Sequence, residues 1–245
     1  MVIGKNINKF QKITKLISKK KYLAIIPARR DSLELKNKNI LIFNKMPLIE
    51  WTIKLALKSK KISKIIVSTN DIRILKLKKK YINRNILFHK RTENLSTKNS
   101  KIYDTLNKIL PKESNKFDNF ILLQPTSPLK KNNSIDNAIH YYEKNKKDIC
   151  VSVSKSKYNP NNIFKINNKL LKIKYGLHMP KNRQDYKNFY FINGSIYIAN
   201  IESYLKYKTF ITNKTLGYIM PKKESFDIDD DLDFFIVQQI YNQYF

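Results

Sequence analysis

The residues best suited to bind a charged ligand lie in a polar, basic loop close to residue 30. The loop follows a short apolar run, Tyr22 to Ile26, and begins at Pro27. Its polar and charged residues are Arg29, Arg30, Asp31, Ser32, Lys36, Lys38 and Asn39. Arginine presents a planar fork of donors to phosphate oxygens, and lysine adds a mobile point charge. This loop is therefore a candidate phosphate site, and a solvated basic loop is the alternative interpretation.

Carboxylates are concentrated in a second segment, FDIDDDLDFF, at residues 226–235. Asp227 and Asp229 are two residues apart, so in an extended segment both carboxylates point to the same face. One or two carboxylates together with substrate phosphates are the usual ligands of Mg²⁺, and we assign these two residues to a magnesium site. The alternative role of such acids is to cap the helix that follows. That role is assigned to Asp230, Asp231 and Asp233.

A third polar cluster, Gln124 to Ser127, follows an apolar run that ends at Leu123. Two flanking prolines fix the backbone and leave these side chains exposed at the carboxyl end of a predicted strand. Gln124 is suited to hydrogen-bond a sugar or a nucleotide. No general base lies near Ser127 in the sequence, so a nucleophilic serine is rejected, and a cap or turn is its structural alternative.

Alternating strands and helices must position these clusters. Strands are predicted at residues 22–26, 64–69, 85–89, 118–123, 148–154 and 217–220, with helices near 47–59, 71–82, 100–110 and 134–144 and after 230. This alternation predicts an α/β fold with a mainly parallel sheet. Ligands of such folds bind beyond the carboxyl ends of the strands, where the basic loop is expected.

Composition limits the class of protein. The 245 residues favour one large domain, or one domain with a small appendage. No apolar run approaches the ~20 residues that span a membrane, and residues 1–21 are basic but lack the apolar core of a secretory signal. The single cysteine, Cys150, cannot form an internal disulfide, which suits a cytoplasmic protein.

The net charge of +30 is compatible with nucleic-acid binding through phosphate neutralisation. However, the excess is mostly lysine spread along the whole chain, together with much Asn, Ile, Tyr and Phe. All these residues have AT-rich codons, so genome bias is a sufficient cause. Because no zinc-finger spacing or concentrated basic region is present, no specific nucleic-acid partner is expected, and a basic nucleic-acid-binding protein remains a less favoured alternative.

The basic loop resembles the first signature of the cytidylyltransferases that activate acidic sugars, above all the acylneuraminate (sialic acid) cytidylyltransferases. The matching residues are Pro27, Ala28, Arg29, Ser32, Leu35, Lys38 and Asn39. Four more segments resemble family motifs in the same order: MPLIEWTI, IIVSTN, LLQPTSPLK, and NGSIYI with FDIDDDLDF. Leu33 and Glu34 replace the family's lysine and glycine, and Asn70 and Lys98 stand where the family has acids.

This resemblance implies a Rossmann-like nucleotidyltransferase fold and a reaction. A hydroxyl of an acidic nine-carbon sugar attacks the α-phosphate of CTP with the help of Mg²⁺, and pyrophosphate leaves. The implied catalytic residues are Arg29, Lys38 and Asp229. The implied nucleotide-binding residues are Ala28, Arg29, Ser32, Lys38, Asn39 and Arg91. A sialic, legionaminic or pseudaminic acid is the expected substrate, and the choice among them stays open.

The implied sugar-binding residues are Gln124, Thr126, Ser127, Arg183, Gln184 and Asn193. In the family an Arg-Gln pair lies ten residues before the Asn of an Asn-Gly motif, and Arg183 lies ten before Asn193. A sugar carboxylate needs a cation, and arginine binds carboxylates bidentately. A surface charge is the alternative role of Arg183.

The resemblance also divides the chain and implies its assembly. Residues 1–21 precede the first motif and form a basic extension, and residues 22–245 form the cytidylyltransferase domain. Within it, residues 155–190 read as Asn-rich hairpins, and in the family this region builds a small dimerisation extension, so a homodimer is expected. A catalytically impaired relative that binds nucleotide or sugar is the main alternative, because of Leu33, Asn70 and Lys98.

Overall fold

The computed structural model describes residues 22–32, 34–92, 100–160, 163–167, 170–173 and 188–245. The predicted extension, residues 1–21, lies outside the described residues. The strands are β1 (Tyr22–Ala28), β2 (Ile42–Phe43), β3 (Met46–Pro47), β4 (Ile62–Thr69), β5 (Ile86–Lys90), β6 (Asn119–Leu123), β7 (Ile149–Lys155), β8 (Phe164–Asn167), β9 (Leu170–Ile173), β10 (Tyr190–Asn200) and β11 (Leu216–Ile219). The α-helices are α1 (Leu48–Lys58), α2 (Ile72–Lys76), α3 (Ile102–Glu113), α4 (Ser134–Asn145), α5 (Ile201–Tyr207) and α6 (Asp231–Tyr244).

In the described part of the chain, seven strands form the central sheet in the order β11-β7-β10-β6-β1-β4-β5. Strand β1 pairs in parallel with β4 and β6, and parallel pairs also join β4 to β5 and β7 to β11. The predicted α/β class with a mainly parallel sheet is therefore confirmed. The sequence did not predict β10, which lies antiparallel between β6 and β7.

The core has two layers, one on each face of the sheet. Alternate residues of β1 separate into them because successive side chains of a strand point to opposite faces. Ala24 and Ile26 pack with residues of α1 and α4, whereas Leu23 and Ile25 pack with residues of α3 and α5. This burial on both faces explains the continuous apolar run of the first strand.

The last helix, α6, completes the fold beside α1. Val237 is buried in a smaller cluster with Phe43 and Leu48, and Trp51 lies edge-on to Tyr241 with ring centroids 5.1 Å apart. Because α6 follows the acidic segment directly, this packing fixes where Asp227 and Asp229 lie. No helix among the described residues has the length and apolar character needed to cross a membrane.

Candidate active site

A cleft of ≈ 430 Å³ lies at the carboxyl ends of β1, β5 and β6. Parallel neighbours end at the same edge of the sheet; Ala28 at the end of β1 lies opposite Thr69 at the end of β4. The cleft is lined by eight of the residues predicted from sequence. These are Arg29, Ser32, Lys38, Asn39, Arg91, Gln124, Thr126 and Asp229. The basic loop and the Gln124 segment thus meet in one concave site.

Lys38 joins the basic loop to the acidic segment. Its Nζ donates to the carbonyl oxygen of Ile228 at 2.7 Å and to Oδ1 of Asp229 at 2.9 Å. The lysine side chain is largely buried, whereas the Asp229 side chain is 63% exposed. The contact therefore places a buried ammonium group beside a carboxylate that remains open to the cleft.

Two asparagines hold the loop in shape. Asn39 Nδ2 donates to the carbonyl oxygen of Arg29 at 2.9 Å, and Oδ1 of Asn70 accepts from the backbone N–H of Arg30 at 2.8 Å. Asn70, which replaces a family acid, thus has a structural partner in this chain. The Oδ1 atom of Asn39 is buried and has no hydrogen-bond partner among the described residues, so it remains a free acceptor at the cleft.

Arg91 brings a buried positive charge to the cleft. It is 7% exposed, and its Nε donates to Oγ of Ser68 at 3.1 Å, while Nη2 finds no acceptor in the described part of the chain. Burial, with a smaller contribution from the charge of Arg29, lowers the pKa of Arg91 to about 10. A buried donor without a partner is costly, so this arrangement favours an anionic ligand.

The predicted metal ligands lie just before helix α6. Asp230 and Asp233 form the capping box of that helix, with Asp230 Oδ1 accepting from the N–H of Asp233 at 2.8 Å. This leaves Asp227 and Asp229 outside the helix. Asp227 Oδ1 accepts from Oγ of Ser127 at 3.2 Å.

The electrostatics of Asp227 fit a cation. Its pKa is raised, first by burial and then by the charge of Asp229, against the opposing effects of the Thr126 hydroxyl and of the charges of Lys130 and Lys38. A divalent ion between the two carboxylates would relieve this repulsion. Among the described residues no group of three or more His, Cys, Asp or Glu side chains could hold a metal. The pair therefore fits Mg²⁺ only with substrate oxygens as further ligands.

Gly194 allows Asp227 to approach strand β10. Its φ is +72°, and a Cβ at this position would lie 2.8 Å from Oδ2 of Asp227. A real Cβ contact is essentially never that short. The Asn-Gly motif thus has a steric reason: any side chain at residue 194 would displace the acid.

Several predicted residues do not line the cleft. Ala28 and Ser127 are fully buried. Asn193 is buried as well; it accepts from Oγ of Ser152 at 2.5 Å and donates to Oγ of Ser225 at 2.9 Å. Its amide therefore supports the backbone beside Gly194. Arg183, Gln184, Leu33 and Lys98 lie outside the described residues.

Lys130 was not predicted as a site residue. It is buried behind the cleft and donates to the carbonyl oxygens of Gln124, at 3.3 Å, and of Ser127. Burial lowers its pKa to about 7, although Asp227 and Glu224 oppose the shift. The only available signal was its place at the end of LLQPTSPLK, where the resembling family has arginine.

We expect Gly194→Ala to lower the free energy of unfolding by about 1–2 kcal/mol, because the positive φ and the contact with Asp227 are both strained by a Cβ. Urea denaturation measures this loss. The matched control is Gly217→Ala, whose Cβ would meet Val153 at an ordinary 3.4 Å. Equal stability of the two variants would contradict the proposed packing of Gly194.

Comparison with known proteins agrees with these motifs. The family model described as Cytidylyltransferase matches residues 23–218. The N-acylneuraminate cytidylyltransferase of Escherichia coli is 34% identical over 215 residues, which are 87% of this chain and 50% of that protein. The CMP-N,N'-diacetyllegionaminic acid synthase of Legionella pneumophila is 32% identical over 89% of this chain and 95% of its own length.

A solved structure shares the fold. It is a CMP:2-keto-3-deoxy-manno-octonic acid synthetase complexed with CTP, with a TM-score of 0.64 and 14% identity over 92% of this chain and 100% of that chain. This chain spans about half the length of the N-acylneuraminate cytidylyltransferases that it matches. The family model covers most of the chain, and the legionaminate relative aligns over nearly its whole length. The chain therefore belongs to the cytidylyltransferase family.

Proposed function

We propose that this protein transfers the cytidylyl group of CTP to a hydroxyl of an acidic nine-carbon sugar and releases pyrophosphate. The observation that carries the proposal is the buried Arg91, which lines the cleft together with Arg29 and Lys38 and whose Nη2 has no hydrogen-bond partner among the described residues. Three cations around one cleft suit a triphosphate. Family membership supports cytidine as the base, and the names of the relatives support an acidic sugar as the acceptor.

The chain contributes to this reaction by positioning and by charge neutralisation, which dominate catalysis of phosphoryl transfer. Arg29 and Lys38 hold the phosphates. Arg91, Ser32 and Asn39 complete the nucleotide site beside Ala28, the last residue of β1. Lys38 is already fixed by Asp229 and Ile228. Its charge is therefore in place before the substrate arrives and needs no reorganisation during the reaction.

Asp227 and Asp229 hold Mg²⁺ in this proposal. The bound ion supplies Lewis-acid stabilisation of charge on the α-phosphate. Ser127 and Gly194 keep the carboxylate of Asp227 in position, the first by a hydrogen bond and the second by leaving room for it.

Gln124 and Thr126, which line the cleft, bind the sugar. Arg183 and Gln184 hold the carboxylate of the sugar. Asn193 assists sugar binding indirectly, because its amide supports the backbone beside Gly194. The names of two relatives specify N-acylneuraminate and N,N'-diacetyllegionaminic acid as the activated sugars. A pseudaminic acid cytidylyltransferase of Campylobacter jejuni is 26% identical to this chain. The substrate class is therefore a nonulosonic acid, and the cytoplasm, which supplies CTP, is the proposed place of the reaction.

We propose further that two copies of the chain form a homodimer through the start of β10. Phe189, Tyr190, Phe191 and Ile192 are each at least 38% exposed, and the first two belong to the predicted dimerisation extension, residues 155–190. Nearby residues of the same region, Ile163 and Ile166, are exposed too. A concentration of exposed large apolar residues favours an interaction site, and a second copy is the partner that the family resemblance supports.

Pyrophosphate release from CTP with Mg²⁺ tests the reaction. Sialic, legionaminic and pseudaminic acids and the eight-carbon ulosonic acid are offered separately. We expect release with one nine-carbon acid at a rate at least about tenfold above the eight-carbon acid, because the pocket selects by sugar shape. CTP binding without release from any sugar would instead identify a catalytically impaired relative. The absence of both CTP binding and pyrophosphate release would overturn the proposal.

Asp227→Asn should lower kcat by about 100-fold or more, because it removes a charged metal ligand while an amide oxygen can still accept from Ser127. The Mg²⁺ concentration that gives half-maximal rate should rise, and chelation by EDTA should abolish wild-type turnover. Asp231→Asn, an exposed acid in the first turn of α6, is the control and should keep wild-type metal dependence. Unchanged Mg²⁺ dependence in Asp227→Asn would refute the metal assignment.

Phe191→Glu should convert the wild-type dimer to a monomer, because it places a charge in the apolar interface at the start of β10. Sedimentation velocity measures the change. Phe235→Glu provides the matched control, since Phe235 is 58% exposed on α6, on a different element. A wild-type protein that sediments as a monomer, or a Phe191→Glu variant that stays dimeric, would exclude this interface.

A further inference from the structure

Two hydrogen bonds connect His89, Ser68 and Arg91 in series. Ser68 and His89 lie opposite each other on the parallel pair β4 and β5. The Oγ atom of Ser68 lies 3.0 Å from Nδ1 of His89 and 3.1 Å from Nε of Arg91. Ser68 is fully buried, so these two groups are its hydrogen-bond environment within the described residues. These bonds end at the Arg91 guanidinium, which belongs to a residue lining the cleft and whose Nη2 has no partner among the described residues.

The chemistry of the three groups fixes the direction of these bonds. Arginine Nε can only donate, so Ser68 Oγ accepts from Arg91. The single hydroxyl hydrogen of Ser68 then donates to His89, and Nδ1 must be an unprotonated acceptor. This requires a neutral imidazole with its proton on Nε2. The neutral form thus pairs the hydroxyl hydrogen of Ser68 with Nδ1 and leaves an oxygen lone pair for Nε of Arg91.

Burial and the neighbouring positive charges favour the neutral form of His89. Burial comes first in lowering its pKa, and it is followed by the positive charges of Arg91 at the end of β5 and of Lys112 and Lys108 on α3. Further along the face between β4 and α3, Lys64 pairs with Glu113 at 2.5 Å, so that carboxylate is already neutralised. Ser68 on β4 carries no charge.

We propose that neutral His89 is a positioning residue that orients Arg91 toward the nucleotide through Ser68. The inference rests on the proposed function and deepens its nucleotide site. Protonation at acid pH turns Nδ1 into a donor. Ser68 Oγ then accepts from two donors, its own hydrogen loses its partner, and a second positive charge faces Arg91. The guanidinium is held less firmly, and affinity for the nucleotide falls.

The test measures CTP binding to the full chain by calorimetry, and KM for CTP against kcat, at about pH 7.5 and about pH 5.5. His89→Leu removes the acceptor, and we expect CTP affinity to fall by about tenfold at both pH values, with kcat and the KM for the sugar unchanged. His89→Asn restores an acceptor close to the position of Nδ1 but does not titrate. It should bind CTP as the wild type does at the higher pH and should lack the additional acid-side loss of the wild type.

The controls separate the histidine from other effects. Protonation of CTP itself acts equally on all proteins, so only the difference between wild type and His89→Asn reports His89. His140→Asn makes the same replacement at an exposed helical site and should change nothing. Thermal unfolding checks that the variants fold. Ser68→Ala removes the hydroxyl that links His89 to Arg91, and its CTP affinity should match that of His89→Leu.

The outcomes distinguish the two proposals. Wild-type CTP affinity in both His89→Leu and Ser68→Ala would overturn the positioning role, even if the enzyme is active. The same acid-side loss in wild type and His89→Asn would overturn the dependence on histidine protonation. If the wild type binds CTP with this pattern but releases no pyrophosphate with any sugar, the positioning role stands and the proposed reaction fails. Absence of CTP binding in the wild type would overturn both.

Discussion

The ion pair between Lys38 and Asp229 joins the two ends of the site, and most of its geometry depends on that contact. The lysine belongs to the loop after β1, and the aspartate precedes the last helix, 191 residues later. Without the lysine, the carboxylates of Asp227 and Asp229 would repel each other with less compensation. Without the acids, the charge of Lys38 would be uncompensated beside those of Arg29 and Arg91. The pair therefore balances opposite charges that are useful only when they lie close together.

The sheet topology makes this balance possible. Parallel strands deliver the basic loop, Arg91 and Gln124 to one edge, because each of β1, β5 and β6 ends there. The antiparallel strand β10 enters between β6 and β7 and brings Gly194 to the same place. The acids follow β11, which runs parallel to β7, and Asp227 there meets Gly194 of β10.

Sequence reasoning predicted the parallel part of the fold and much of the cleft, and the reasons are physical. Buried parallel strands appear as apolar runs, and the prolines and polar residues after them mark the carboxyl ends, so Arg29, Lys38 and Gln124 were found. Strand β10 was missed because its first residues are aromatic and exposed and its Asn-Gly interrupts the strand pattern. The inward-facing roles of Asn193, Ser127 and Lys130 depend on partners distant in the chain, which no local pattern contains. The burial of Arg91 and its bond to Ser68 depend on the register of β4 with β5, which local patterns do not determine either.

Strand β10 has a consequence for how this sequence can change. One strand of eleven residues carries the exposed apolar residues at its start, Gly194 with its positive φ, and the buried core residues that follow. Loss or gain of a single residue between Tyr190 and Gly194 would turn every side chain in that interval to the other face. Substitution of its exposed residues is therefore tolerated better than insertion or deletion in this interval. Length variation among related chains should collect in the hairpin before the strand and leave this spacing constant.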